Sequence, residues 1–191
     1  MNEFWLWFTT GLQHILDMNG YDHIIYIMAI CALYTIKEWK SLLILITAFT
    51  IGHSIALALS TFGIISIKQS FIEVLIPITI IITCIINLFY KSNNQTNFRF
   101  NYILAITFGF IHGMGFSYLL KSLLGKEETI VLPLFSFNLG IEIAQLSIVF
   151  FMILCSIIFN RFNKIKTPIW NTIISTSALS ISTILLIQQL I

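Results

Sequence analysis

The sequence predicts an all-α fold: a polytopic membrane bundle of about six transmembrane helices, preceded by an amphipathic helix at the interface. Three observations predict it. Of 191 residues, 58% are hydrophobic and 9% charged, where a soluble domain carries roughly 25% charged residues; the mean hydropathy is +0.94. Five apolar runs reach the length of about 20 residues that a helix needs to cross a hydrocarbon core. No lysine or arginine lies deep within any run. One soluble core of this size does not bury so much apolar surface, so lipid is the expected solvent. The net charge of +2 gives no sign of a nucleic-acid partner.

The elements follow in order. Within residues 3–17, Glu3, Thr10, His14 and Asp17 recur at helical spacing, opposite Phe4, Trp5, Phe8, Leu12 and Leu16. That pattern is an amphipathic helix, too short and polar to span. The N-terminal residues lack the basic region of a signal peptide, so no cleavage is expected. Asn19-Gly20 is a turn signal, and Asp22 suits the N-cap of a first span over 22–37. Folding back there would carry His14 and Asp17 towards Asp22 and His23. Further spans are expected over about 41–62, 71–90, 101–124, 130–160 and 168–190. The connections are short, so residues 1–191 form one membrane domain. Cys31, Cys84 and Cys155 lie in separate runs without metal-binding spacing and are expected to be packing residues.

Loop charge sets the orientation. Six spans put Lys37, Lys40, Lys91, Arg99, Arg161, Lys164 and Lys166 on one side, and Lys68, Lys121 and Lys126 on the other. The richer side is expected to be cytoplasmic, with both termini outside a bacterial cytoplasmic membrane. Trp39, Tyr90, Tyr102 and Trp170 sit near span ends, as an aromatic belt requires.

Function is expected among the polar residues that lipid should exclude. An ionisable group at mid-membrane costs roughly 2.5–3.5 kcal/mol on insertion scales and usually faces the bundle interior. His14, Asp17, Asp22, His23 and Glu73 belong to the outer end. His53 lies two-thirds of the way outward along its span, and His112 and Glu142 lie near the midplane. This descent of imidazoles and carboxylates, with no internal cation, suits a cation entering from outside. Asn138, Glu142 and Gln145 share one helix face, and Asn138, Gln145 or Ser54 could orient an imidazole ligand through its second ring nitrogen. Gly109 and Gly113 make a GxxxG pattern, which permits close helix approach. The plainer readings are a histidine hydrogen bonded to its neighbour helix, a GxxxG used only for packing, and a solvated His14–Asp17 face. A purely structural Glu142 is harder to argue, since glutamine would serve at lower cost.

Four strings in order carry a family resemblance: Gly11-Leu12-Gln13-His14-Ile15-Leu16 followed by Tyr21-Asp22-His23; Phe49-Thr50-Ile51-Gly52-His53-Ser54; Ile111-His112-Gly113-Met114-Gly115-Phe116; and Phe137-Asn138-Leu139-Gly140-Ile141-Glu142-Ile143-Ala144-Gln145-Leu146. In these the chain resembles the HupE/UreJ family of membrane proteins. The resemblance implies a six-helix bundle and a role linked to nickel, with cobalt in some members, as a permease or as an accessory of hydrogenase and urease systems. It implies metal handling by His14, Asp22, His23 and His112; His53 and Glu142 match family strings as well. The gap between His14 and Asp22 holds seven residues, longer than in better-known members.

The expectation is therefore a secondary transporter, not an enzyme, taking up a divalent transition metal: nickel first, cobalt or zinc as alternatives of similar ligand chemistry. No phosphate-binding glycine loop is present to hydrolyse ATP, and no prosthetic group is expected. His14, Asp17, Asp22 and His23 would capture the ion, and His53, His112 and Glu142 would hold it at mid-depth, with Asn138, Gln145 and Glu73 in support. The rival readings are a non-transporting partner that delivers metal to metalloenzyme maturation proteins, a haem-binding electron carrier using His53 and His112, and, last, a hydrolase using Ser54 or Ser117.

Overall fold

The computed structural model of the chain describes residues 2–17, 20–89, 98–124, 130–163 and 167–191. The Asn19 turn signal, the loop cations Lys91, Lys126, Lys164 and Lys166, and the belt residue Tyr90 lie outside the described residues. The described residues form helices and no strand: α1 (Glu3–Leu16), α2 (Asp22–Cys31), a short 3-10 helix (Ile36–Glu38), α3 (Trp39–Thr61), α4 (Gln69–Phe89), α5 (Phe98–Leu124), α6 (Val131–Asn163) and α7 (Thr167–Leu190). Asn2 caps α1, its side chain accepting the Phe4 N–H at 3.3 Å.

Helices α3 to α7 are each long and apolar enough to cross a membrane. Their boundaries match the five long runs within a few residues. Their outward surfaces are apolar: Ile103, Phe135, Phe150 and Phe151 are all more than 60% exposed. The interior holds His23, His53, His112, Asn87, Gln145 and Ser175. Apolar outside and polar within is the arrangement lipid demands.

The expected first span, 22–37, is not one helix. Helix α2 ends after ten residues, about 15 Å, which is half of a hydrocarbon core of about 30 Å. Two interactions mark its end, one from a distant helix and one local. Asn87 of α4 donates its amide to the Ala29 carbonyl at 2.7 Å, satisfying an acceptor in the last turn of α2. Thr35 then opens a new helix, its backbone N–H and hydroxyl each 3.0 Å from the Glu38 carboxylate. The Asn87 amide continues to Ser175 at 3.3 Å, Ser175 donates to the Asn171 side-chain oxygen at 2.9 Å, and Asn171 donates back to the Asn87 carbonyl at 2.8 Å. This closed set of bonds holds α2, α4 and α7 together where water cannot.

Glycine sets the two tightest pairings. A Cβ on Gly109 would lie 2.1 Å from the Phe49 carbonyl oxygen, and one on Gly52 would lie 2.1 Å from that of Ile106. The backbones of α3 and α5 therefore nearly touch, as the GxxxG pattern predicts. Phe49 faces Gly109 while His53 and Ala56 face Gly113, so the two helices run parallel. Gly11 approaches Phe137 and Gly140 approaches Phe8 in the same way, which lays α1 antiparallel along α6.

Helix α1 also turns differently from a helix resting on an interface. Its inward face is Trp7, Gly11 and Ile15, with His14 beside them. Trp5, Leu6 and Leu16 are exposed. The buried face thus follows neither stripe: Glu3 and Asp17 are exposed and Thr10 and His14 half-buried, while Phe8 and Leu12 of the apolar stripe pack against Gly140.

Candidate metal site

Each histidine reaches the site through one of these contacts. His112 sits three residues after Gly109 and directly before Gly113, so the close approach of α5 to α3 sets it beside His53. The Gly11–Phe137 contact seats α1 on α6 and turns His14 inward. The break between α1 and α2 returns the chain so that His23, at the start of α2, meets His14. The ring centroids of His14 and His23 are 4.7 Å apart, those of His23 and His112 5.1 Å. His53 lies 5.8 Å from both His14 and His23. Four histidines from four helices, spread over residues 14–112, are thus neighbours.

Their donor atoms form two overlapping groups, His14–His23–His53 and Asp22–His23–His112, within each of which all ligand atoms lie within 4.8 Å of one another. His23 belongs to both. His23, His53 and His112 are buried.

Hydrogen bonds assign which nitrogen of His23 and of His112 is free. The Asp22 carboxylate can only accept, so His23 Nδ1, 3.1 Å from Asp22 Oδ1, carries its proton. His23 Nε2 is then a bare lone pair with no partner. Thr79 of α4 donates its hydroxyl hydrogen to the Ile76 carbonyl at 2.7 Å. Its oxygen therefore accepts from His112 Nε2, 3.1 Å away, leaving His112 Nδ1 bare and unpartnered. Both nitrogens of His53 and Nε2 of His14 are likewise buried without a partner. Burial, then the neighbouring His23, holds His14 well below the usual imidazole range, so it stays neutral. Neutral rings with one nitrogen oriented by an outer partner and the other bare are what a metal ion requires. Leaving so many polar atoms buried and unpaired is costly in any other role.

Aromatic rings wall the site. Phe116 and Phe137 stack at 5.1 Å, with Phe116 3.9 Å from His14. Phe49 and Tyr26 each lie 5.2 Å from His112. Two cavities lie beside the site. One, of about 170 Å³, is lined by Asp22, Glu73 and Gln189. The other, of about 670 Å³, is lined by Gln13, His14 and Asp17.

The structure brings together His14, Asp22, His23, His53 and His112. Asp17 and Glu73 border the approaches, Glu73 accepting from Gln69 at 2.8 Å. Asp22 is the first residue of α2 rather than its N-cap, which is Tyr21; its carboxylate is given to His23 instead. Glu142 belongs to neither ligand group. Its carboxylate accepts from Thr47 at 2.8 Å and from Thr50, and Gln145 Oε1 lies 2.8 Å from the Thr50 hydroxyl. Asn138 donates to the Leu134 carbonyl at 2.8 Å, and Ser54 to that of Thr50 at 2.7 Å. None of Asn138, Gln145 or Ser54 bonds to an imidazole; the orienting partners are Asp22 and Thr79.

Sequence reading missed Thr79, whose only signal is its place two residues beyond Pro77 inside α4. It also missed Thr47 and Thr50, which look like ordinary residues of an apolar helix. Thr79→Val is expected to lower metal affinity about tenfold to a hundredfold while the helices stay folded, because it frees the His112 ring from its tautomer. Nickel titration of the purified variant checks this, and unchanged affinity would remove Thr79 from the site.

Comparison with known proteins gives one result. A family model described as HupE / UreJ protein matches residues 1–189; no curated protein and no solved structure matches significantly.

Proposed function

The chain belongs to the HupE/UreJ family, a family of membrane permeases and accessory proteins rather than enzymes, and from that premise we propose that it carries a divalent transition-metal ion, nickel first, inward across the cytoplasmic membrane. Membership itself carries the broader statement: a role in nickel or cobalt transport, or in support of urease and hydrogenase.

One observation carries the finer reading. Three buried imidazoles and the half-buried His14 meet in two ligand groups that share His23, each ring with an unpartnered nitrogen, and Asp22 and Thr79 brace His23 and His112. Imidazole nitrogen with a single carboxylate suits nickel, cobalt or zinc and disfavours magnesium and calcium, which prefer oxygen. The ion is cargo in this reading. Asp22 and Glu73 attract it at the outer cavity, and Asp17 does so beside His14. His14, His23, His53 and His112 then replace its water. A site assembled from four helices suits transport, because small movements between the helices change the ligand count and so release the ion.

Uptake into liposomes holding the purified chain and a metal-sensitive dye tests this. Wild type is expected to accumulate nickel, and His112→Ala to lose at least about nine-tenths of the rate by removing a ligand. Tight nickel binding without uptake would instead assign the chain to metal delivery, with maturation proteins of metalloenzymes as partners.

A further inference from the structure

Tyr26 and Phe49 wall the His112 side of the histidine cluster, and Tyr26 is the one that also lines a further cavity. Tyr26 is 2% exposed, and its ring centroid lies 5.2 Å from His112 and 4.8 Å from Phe49. The same Tyr26 lines a separate cavity of about 40 Å³ bordered by Tyr34, Thr83, Asn87, Asn101 and Ala105. That cavity is large enough for a water-sized ligand, and its wall offers hydroxyl and amide groups. It lies beside the last turn of α4, at Asn87, and the first turn of α5, at Asn101. The cavity that Asp22 lines opens instead beside Glu73, in the first turns of α4. The two cavities therefore occupy opposite ends of α4, with the histidines between them.

Helix α2 threads all three places. Asp22 borders the outer cavity, His23 stands in the cluster, Tyr26 follows one turn later, and Ile30 borders the inner cavity, with Tyr34 just beyond the helix. Its early end at Cys31 is what opens room there, since the chain turns aside before a full span is complete.

We propose that the inner cavity is the release half of the cation's path and that the Tyr26 ring is the barrier between it and the histidine cluster. This rests on the transport reading above. The ion meets oxygen donors at Tyr34, Asn87 and Asn101 only after the ring moves. A histidine-bound ion then passes to weaker, water-assisted ligands, which favours its departure.

The test uses the full chain in liposomes, with nickel uptake and nickel binding measured on the same preparations. Ala105→Leu fills the inner cavity from a wall that touches no histidine. It is expected to bind nickel within threefold of wild type but to carry it at least tenfold more slowly. Tyr26→Ala is expected to carry nickel faster than wild type, with magnesium now leaking as well. Tyr26→Phe keeps the ring and is expected to behave as wild type. If wild type carries nickel and both Ala105→Leu and Tyr26→Ala match it in rate and selectivity, the barrier assignment is overturned while the transport reading stands. If Ala105→Leu and Tyr26→Ala lose binding and transport together, Tyr26 belongs to the site and not to a barrier. A wild type that binds nickel but carries none overturns the transport reading and this inference with it.

Discussion

Purified His23→Ala is expected to bind nickel at least about a hundredfold more weakly than wild type. His23 is the one residue common to both ligand groups, so its loss reduces each from three donors to two. The loss also strands Asp22, whose carboxylate in the native structure braces the ring at 3.1 Å. His53→Ala breaks only the group containing His14 and is expected to cost about tenfold. Calorimetric titration of both variants orders the two effects. Nickel affinity in His23→Ala within threefold of wild type, in protein that remains monodisperse, would show that the imidazoles are neighbours without being a binding site.

Gly109→Ala is expected to be among the most damaging small substitutions in the bundle. Its Cβ would lie 2.1 Å from a backbone oxygen of α3, and backbone cannot move aside as a side chain does. The cost should reach or exceed the upper end of overpacking, about 3 kcal/mol. Nickel binding should fall with it, because the same contact sets His112 beside His53. Gly115→Ala, on the same helix, is the contrast. Its Cβ would press on the Cδ1 atom of Ile76, at 3.0 Å, and meet Ile72 Cγ2 in ordinary contact at 3.6 Å, and the Ile76 side-chain end can rotate away. Thermal unfolding in detergent compares the two. Equal stability of Gly109→Ala and Gly115→Ala would mean that close contact between α3 and α5 does not hold the site.

The five long helices were legible because each is an uninterrupted apolar run, and its partition into lipid depends on summed hydrophobicity alone. The sixth was misread for the same reason. Residues 22–37 are apolar enough to suggest a span, but Asn87, more than fifty residues away, takes the Ala29 carbonyl and helps end the helix. The polar stripe of α1 was legible as a stripe. Which face of α1 meets the bundle, Trp7, Gly11 and Ile15 rather than either stripe, depends on Gly11 and Gly140, whose value is the space they leave for a partner.

The histidines stood out because lipid penalises polar groups, so each one within or beside an apolar run invites a functional reading. Glu142 was picked out by the same logic, and the structure gives it to Thr47 and Thr50 instead. Composition flags an unusual residue without saying which neighbour it will meet.

The amino-acid sequence by itself determined that this is a helical membrane protein of the HupE/UreJ type, with histidines and acids held where lipid would reject them. Hydropathy and local motif strings are properties of contiguous residues, so they need no fold to be read. Only the tertiary structure decided that His14, His23, His53 and His112 converge, that Asp22 and Thr79 orient two of them, and that Glu142 stands apart. Those outcomes depend on the rotation of each helix about its axis and on backbone contacts at Gly11, Gly109, Gly113 and Gly140, and such contacts arise only when distant segments pack.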